Sequence, residues 1–178
     1  MLCPYCKHEN LEGADQCESC LMDLQPLGLP EAETALEDRL MNEGVAKLGA
    51  KRAIMVGPRT SIRDAVETMV KNEIGCVLVH DGERVVGILS ERDLLLRVGL
   101  RLVSIENQPV STVMTHRPLT LDCDAPLAFA LNYMTLHDFR HLPLTRNGEL
   151  EGIISLRDFL ALLFRTYPEI AQSKGVEQ

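Results

Sequence analysis

The feature that most constrains this 178-residue chain is an internal repeat. A displacement of 65 residues lays Ala65 on Ala130, Met69 on Met134, Gly87 on Gly152, Ile88 on Ile153, Ser90 on Ser155 and Arg92-Asp93 on Arg157-Asp158. From Arg52 to Arg97 it needs no gap and gives nine identities in 46 positions, where chance at about one in sixteen would give roughly three. Apolar character is kept as well, at Ile54/Leu119, Val56/Leu121, Ile62/Leu127, Val66/Leu131, Val77/Leu142 and Val79/Leu144. The chain is therefore expected to fold as two copies of one supersecondary unit.

Each copy reads alike. A short strand (54–56, 119–121) turns through a proline-containing loop into a helix (62–71, 127–136). A second strand follows (76–80, 141–145), then Asp81-Gly82 or Asn147-Gly148, dipeptides that favour a tight hairpin. The returning strand ends at Leu89 or Ile154 and a helix starts at once. The fold class is α+β: two β-α-β-β-α repeats, each too small to bury both faces of its sheet, expected to pack as a pseudo-twofold pair.

Ahead of the repeats, residues 1–25 hold four of the six cysteines and few apolar side chains. Pro26, Gly28 and Pro30 mark a linker, and Glu31 to Leu48 reads as an amphipathic helix with Leu36, Leu40, Met41, Val45 and Leu48 near one face, open to a break at Gly44. The expected divisions are 1–25, a metal knuckle; 26–50, linker and helix; 51–109, the first repeat; and 110–178, the second repeat with a C-terminal tail.

Cys3-x-x-Cys6 and Cys17-x-x-Cys20 form two hooks whose four thiolates suit a tetrahedral ion. A segment this short cannot stand on its own core, and metal binding would supply the stability. Zinc is the expected metal, with iron the other tetrathiolate candidate. The segment resembles a zinc ribbon, though Lys7 and Leu21 stand where such hooks usually carry glycine. With Lys7 set against Glu9, Glu12, Asp15, Glu18 and Asp23, the knuckle repels phosphate backbones, and the whole chain has formal charge -8. A protein contact or a folding clip fits better than nucleic acid. The first residues lack the pattern of a secretory signal, and Arg97 and Arg101 interrupt the longest aliphatic stretch, so a cytoplasmic, membrane-free protein is expected.

Six of the nine identities fall between Gly87 and Leu95. Ser-x-x-Asp before an apolar run is a helix capping box, a purely structural device. The same geometry also offers free amides, a hydroxyl and an arginine to a phosphate, and a carboxylate to a ribose diol. A cap requires neither the upstream glycine nor the arginine, yet both recur.

On these residues, together with the Ala-x-x-x-Met helix and Val110-x-x-Val113-Met114-Thr115, residues 52–165 resemble a tandem pair of cystathionine-β-synthase (CBS) domains, a Bateman module. The resemblance implies an adenosyl ligand (AMP, ADP, ATP or S-adenosylmethionine) in clefts between the two sheets, and a disc-like homodimer. Ser90 and Ser155 would meet phosphate, with Arg92 and Arg157 beside them, and Asp93 and Asp158 the ribose. Backbone at Leu142 and Pro143, with Ile54 and Leu119, would frame adenine. Arg140-His141 replaces Gly75-Cys76 of the first copy, so the group Arg140, His141 and Arg157 is expected to favour polyphosphate. Cys76 and Cys123 read as small buried hydrophobes, and the absence of a Walker loop, a zinc-hydrolase motif or paired catalytic carboxylates points away from an enzyme. The second reading is an adaptor that recruits a protein partner through the knuckle and uses both Ser-x-x-Asp motifs only as caps.

Overall fold

The computed structural model describes residues 1–3, 8–24, 34–82 and 84–167. They divide into two compact units, Arg52–Leu119 and Met1–Lys51 with Thr120–Gln178. Each contains one sheet.

In the first unit, β1 (Met55–Val56), β2 (Cys76–His80), β3 (Val85–Ser90) and β4 (Thr115–His116) form a sheet in that order, β1 parallel to β2 and the other pairs antiparallel. Helix α2 (Ile62–Lys71) starts where the Ser61 hydroxyl accepts the Asp64 amide, and buries Ile62, Ala65 and Met69. These meet Val77, Val79, Leu89, Val98, Val110, Val113 and Met114 in an aliphatic core. In the second unit, β5 (Leu121–Asp122), β6 (His141–Arg146) and β7 (Glu149–Ser155) form the sheet, with α5 (Leu127–Leu136) and α6 (Leu156–Thr166). Its core positions repeat those of the first: Leu127, Ala130, Met134, Leu142, Leu144 and Ile154 are all buried. Asn147 and Gly148 both take positive φ, 53° and 84°, as a tight hairpin between β6 and β7 requires.

The repeat extends further in space than in sequence. Val110 N donates to Thr60 O (2.8 Å), and 65 positions earlier Val45 N donates to Ala125 O (2.7 Å). Ser111 N with Pro58 O (3.3 Å) is matched by Ala46 N with Cys123 O (3.1 Å). Val45 and Val110 are both fully buried. Residues 44–51 therefore serve the second sheet as 109–116 serve the first. This also explains the expected helix over 31–48, of which 31–33 lie outside the described residues. Helix α1 (Ala35–Asn42) stops at Glu43, because the Glu43 carbonyl accepts Leu127 N and the following amides bond to 123–125; Val45–Leu48 is a separate 3-10 turn. α1 itself lies against α5.

The helices after the two Ser-x-x-Asp motifs differ. α6 is regular, with Phe159 and Leu162 buried. The first copy has Arg97 where the second has Leu162, and a cation cannot take that core position. After α3 (Glu91–Asp93) the backbone widens into a π-helical turn, Leu94–Val98, which inserts one residue and brings Val98 into the core. A 3-10 turn, Gly99–Arg101, and α4 (Leu102–Ile105) complete the segment.

The N-terminal residues build two matching hooks. Cys3 N donates to His8 O (2.8 Å) and Cys17 N to Met22 O (2.7 Å). Asn10, 6% exposed, ties them together: its side chain donates to His8 O (3.0 Å) and accepts from Glu18 N (2.9 Å). Met22 contacts the Tyr133 hydroxyl on α5, where Phe129, Tyr133, His137 and Phe139 form an aromatic cluster. Leu21 takes the left-handed backbone (φ 58°) that a glycine would adopt there without cost.

Candidate functional site

Both Ser-x-x-Asp motifs are complete capping boxes at helix starts. In the first, Ser90 N and Oγ donate to Asp93 Oδ2 at 3.0 and 2.6 Å, and Asp93 N donates to Ser90 Oγ at 3.3 Å. In the second, Ser155 N and Oγ donate to Asp158 Oδ2, each at 2.7 Å. Both aspartates are 8% exposed.

The other carboxylate oxygen separates the copies. Thr115 Oγ1, on β4, donates to Asp93 Oδ1 at 2.9 Å, and Arg97 Nη1 stands 3.4 Å from the same atom. Arg97 is itself fixed by the Val113 and Met114 carbonyls, at 2.9 and 2.6 Å. Asp158 Oδ1 instead meets Lys51 Nζ at 2.9 Å. Burial pushes the Asp158 carboxyl up, but the Ser155 and Lys51 hydrogen bonds outweigh it and hold it below the usual carboxylate range. Lys51 was not singled out from the sequence, because it lies before the stretch of gapless identity.

The remaining expected residues fall as follows. His141 pairs directly with Ser155 across β6 and β7, and Leu156 N donates to Arg140 O (2.9 Å), so the β6 start adjoins the α6 start. Arg140 and Arg157 are exposed there. Leu142 and Pro143 are buried in β6, while Ile54 and Leu119 are half-buried. Ile54 O accepts the Leu78 amide (3.0 Å), a donor that Pro143, its counterpart, lacks. Arg92 is exposed beside the first box. The recurring glycines serve packing: a Cβ at Gly152 would lie 2.7 Å from the Lys51 carbonyl, and one at Gly87 would meet the Met114 side chain. A groove of about 660 Å³ between 57–60 and 80–82 lies at the opposite end of β2 from Ser90 and contains none of the expected ligand residues.

Burial pushes the Cys76 thiol up to about 12, with Glu91 and Asp93 adding to the effect, and also raises that of fully buried Cys123. Neither is a ready nucleophile. In the knuckle, the Sγ atoms of Cys3, Cys17 and Cys20 all lie within 4.8 Å of one another, with Cys3 and Cys20 3.6 Å apart. Thiolates about 2.3 Å from one tetrahedral ion are about 3.8 Å apart, so this donor set fits a shared metal. Cys6 lies outside the described residues. No helix among the described residues is long and apolar enough to cross a membrane.

Comparison with known proteins agrees with this architecture. The uncharacterized protein YlbB of Bacillus subtilis is 34% identical over 100 residues, 55% of this chain and 67% of that one. The chain spans 25% of the length of a longer Arabidopsis thaliana CBS-domain relative. A CBS-domain containing protein of Agrobacterium tumefaciens superposes with TM-score 0.63 at 34% identity, covering 67% of this chain and 98% of the other. A CBS domain protein from Pyrobaculum aerophilum, complexed with AMP, superposes with TM-score 0.58 at 26% identity over 69% and 98% of the two chains. The CBS domain matches twice, at residues 45–99 and 110–165, with each match starting in the segment whose spatial repetition was described above. The chain belongs to the CBS-domain family and carries a tandem pair.

Proposed function

We propose that this protein is a regulator rather than an enzyme, and that it senses an adenosyl nucleotide through the second repeat. The observation that carries the reading is Asp158. It is a buried carboxylate fixed by a helix cap, with its free edge held by a lysine side chain that is 65% exposed. Asp158 accepts the ribose diol, while the α6 start, Ser155, Arg157, Arg140 and His141 receive the phosphates. The backbone of Leu142 and Pro143 frames the adenine. AMP in the Pyrobaculum relative supports this ligand class, and ADP, ATP and S-adenosylmethionine share the adenosine that the motif reads.

The reading includes a zinc knuckle with Cys3, Cys6, Cys17 and Cys20 as ligands, for which the three clustered Sγ atoms speak. Zinc would cross-link hooks that have little core of their own. It also includes a cytoplasmic homodimer. Leu156, Leu160 and Phe164 make an exposed stripe on α6, and Leu95, Leu96, Leu100 and Val103 are exposed after the first motif, apolar surface suited to self-association.

Calorimetry of ligand-free protein with AMP, ATP, NAD and S-adenosylmethionine tests the sensor. Saturable heat with at least one adenosyl compound is expected; silence with all four refutes it. The adaptor alternative has the complete capping boxes in its favour. It requires that Asp158→Ala lower stability and leave every binding property intact, whereas the sensor loses its ligand.

A further inference from the structure

The two repeats keep the same Ser-x-x-Asp box but close its outer oxygen in different ways. In the first, the donor to Asp93 Oδ1 is Thr115, a short side chain on a strand whose register is fixed opposite Ile88. Arg97 backs it, held by two backbone carbonyls. The strand keeps the Thr115 hydroxyl beside Asp93, and Arg97 withdraws only by giving up both carbonyls. In the second repeat the positions equivalent to Thr115 and Arg97 are Ala50 and Leu162, which offer no donor. The place is filled by Lys51, whose ammonium sits on a flexible stem at an exposed site and is readily rehydrated.

We propose that Thr115 and Arg97 act as a permanent internal occupant of the first repeat's diol position, so that the chain takes one adenosyl nucleotide, at Asp158, with Lys51 as a displaceable placeholder. The π-helical turn belongs to this device. By moving Val98 into the core it releases Arg97 from the position that Leu162 fills, and Arg97, four residues after Asp93, stands beside its carboxylate. The first copy is thereby a structural half, stabilised in the manner that a ligand would stabilise the second. This rests on the nucleotide reading above and adds why the first half takes no ligand.

The experiment is a calorimetric titration of the full chain with AMP, comparing wild type, Asp158→Asn, Asp93→Asn and the double substitution Thr115→Ala with Arg97→Leu, which carries the second repeat's residues into the first. The expected stoichiometry for wild type is one AMP per chain. Asp158→Asn should weaken binding about tenfold or more, and Asp93→Asn less than about twofold. The double substitution should raise the stoichiometry to two. Circular dichroism melting confirms folding, and if the double variant does not fold, the two aspartate variants decide alone. Binding lost with Asp93→Asn and kept with Asp158→Asn overturns both this proposal and the sensor reading; two AMP per wild-type chain overturns this proposal and leaves the sensor reading standing. A folded double variant that still binds one AMP also overturns it. No binding of AMP, ATP, NAD or S-adenosylmethionine by wild type overturns both.

Discussion

Alanine at Gly152 places a methyl group 2.7 Å from the Lys51 carbonyl oxygen and 3.1 Å from the Ala50 side chain. The nearer of these is backbone, so no rotamer relieves the clash and the segment 44–51 must retreat. That segment is joined to β7 by Lys51 N to Ile153 O and Ile153 N to Lys51 O, both 2.9 Å. Loss of two such bonds costs about 1 kcal/mol each, and overpacking adds about 1–3 kcal/mol. The reduced freedom of the unfolded chain returns about 0.4–1 kcal/mol. The net destabilisation expected is about 2–4 kcal/mol, which for a chain of this size lowers the melting temperature by roughly 5–15 °C. The repeat supplies its own control. Alanine at Gly87 meets the Met114 side chain, whose thioether end can turn aside, so Gly87→Ala should cost less, about 1–2 kcal/mol. Urea and thermal denaturation of both variants provide the assay. A Gly152→Ala protein as stable as wild type, or more stable than Gly87→Ala, would refute the claim that 44–51 is an integral part of the second sheet.

Other outcomes follow from the same geometry. Because the Asp158 carboxyl is held below the usual range, its contribution to stability is whole above the ordinary carboxylate value, about 4, and is lost as pH falls through the lower folded value. Asp158→Asn should therefore lower the urea midpoint at about pH 6 and converge with wild type near pH 2; an offset that does not narrow on acidification contradicts this. Cys76 and Cys123 should resist iodoacetamide at about pH 8 in the folded chain and react once it is unfolded in urea, as read by mass spectrometry. Rapid native labelling of either would show that burial does not control these thiols. Metal analysis should find about one zinc per chain, and its removal by a chelator should abolish hydrogen-exchange protection in residues 1–24 while the two repeats still unfold cooperatively. Metal-free protein that keeps that protection would remove the zinc assignment.

Much of this architecture is legible in the sequence, since α2 carries a serine cap and one-sided apolar spacing, α5 repeats its apolar positions 65 residues later, and the strands alternate with tight-turn residues. The bounds read for α2 and α5, 62–71 and 127–136, are those observed. The tie between 44–51 and the second sheet is hidden because its bonds run through backbone amides and carbonyls, which leave no pattern in side chains; only Val45 and Val110 coincide across that stretch. The π-helical turn leaves a fainter trace. Buried Val98 and Leu162 stand 64 apart rather than 65, and an arginine occupies a helix position that is leucine in the other copy. The capping boxes were open to a structural or a binding interpretation, and they differ through residues outside the motif: Thr115, Arg97 and Lys51. Asn10, which joins the two hooks, is likewise visible only once the hooks are placed side by side.

Native mass spectrometry of the full chain, stripped of small molecules and then mixed with AMP, probes the central claim most directly. The account predicts a single added nucleotide per polypeptide, lost on Asp158→Asn substitution. A spectrum unchanged by AMP, ADP, ATP and S-adenosylmethionine alike would contradict it.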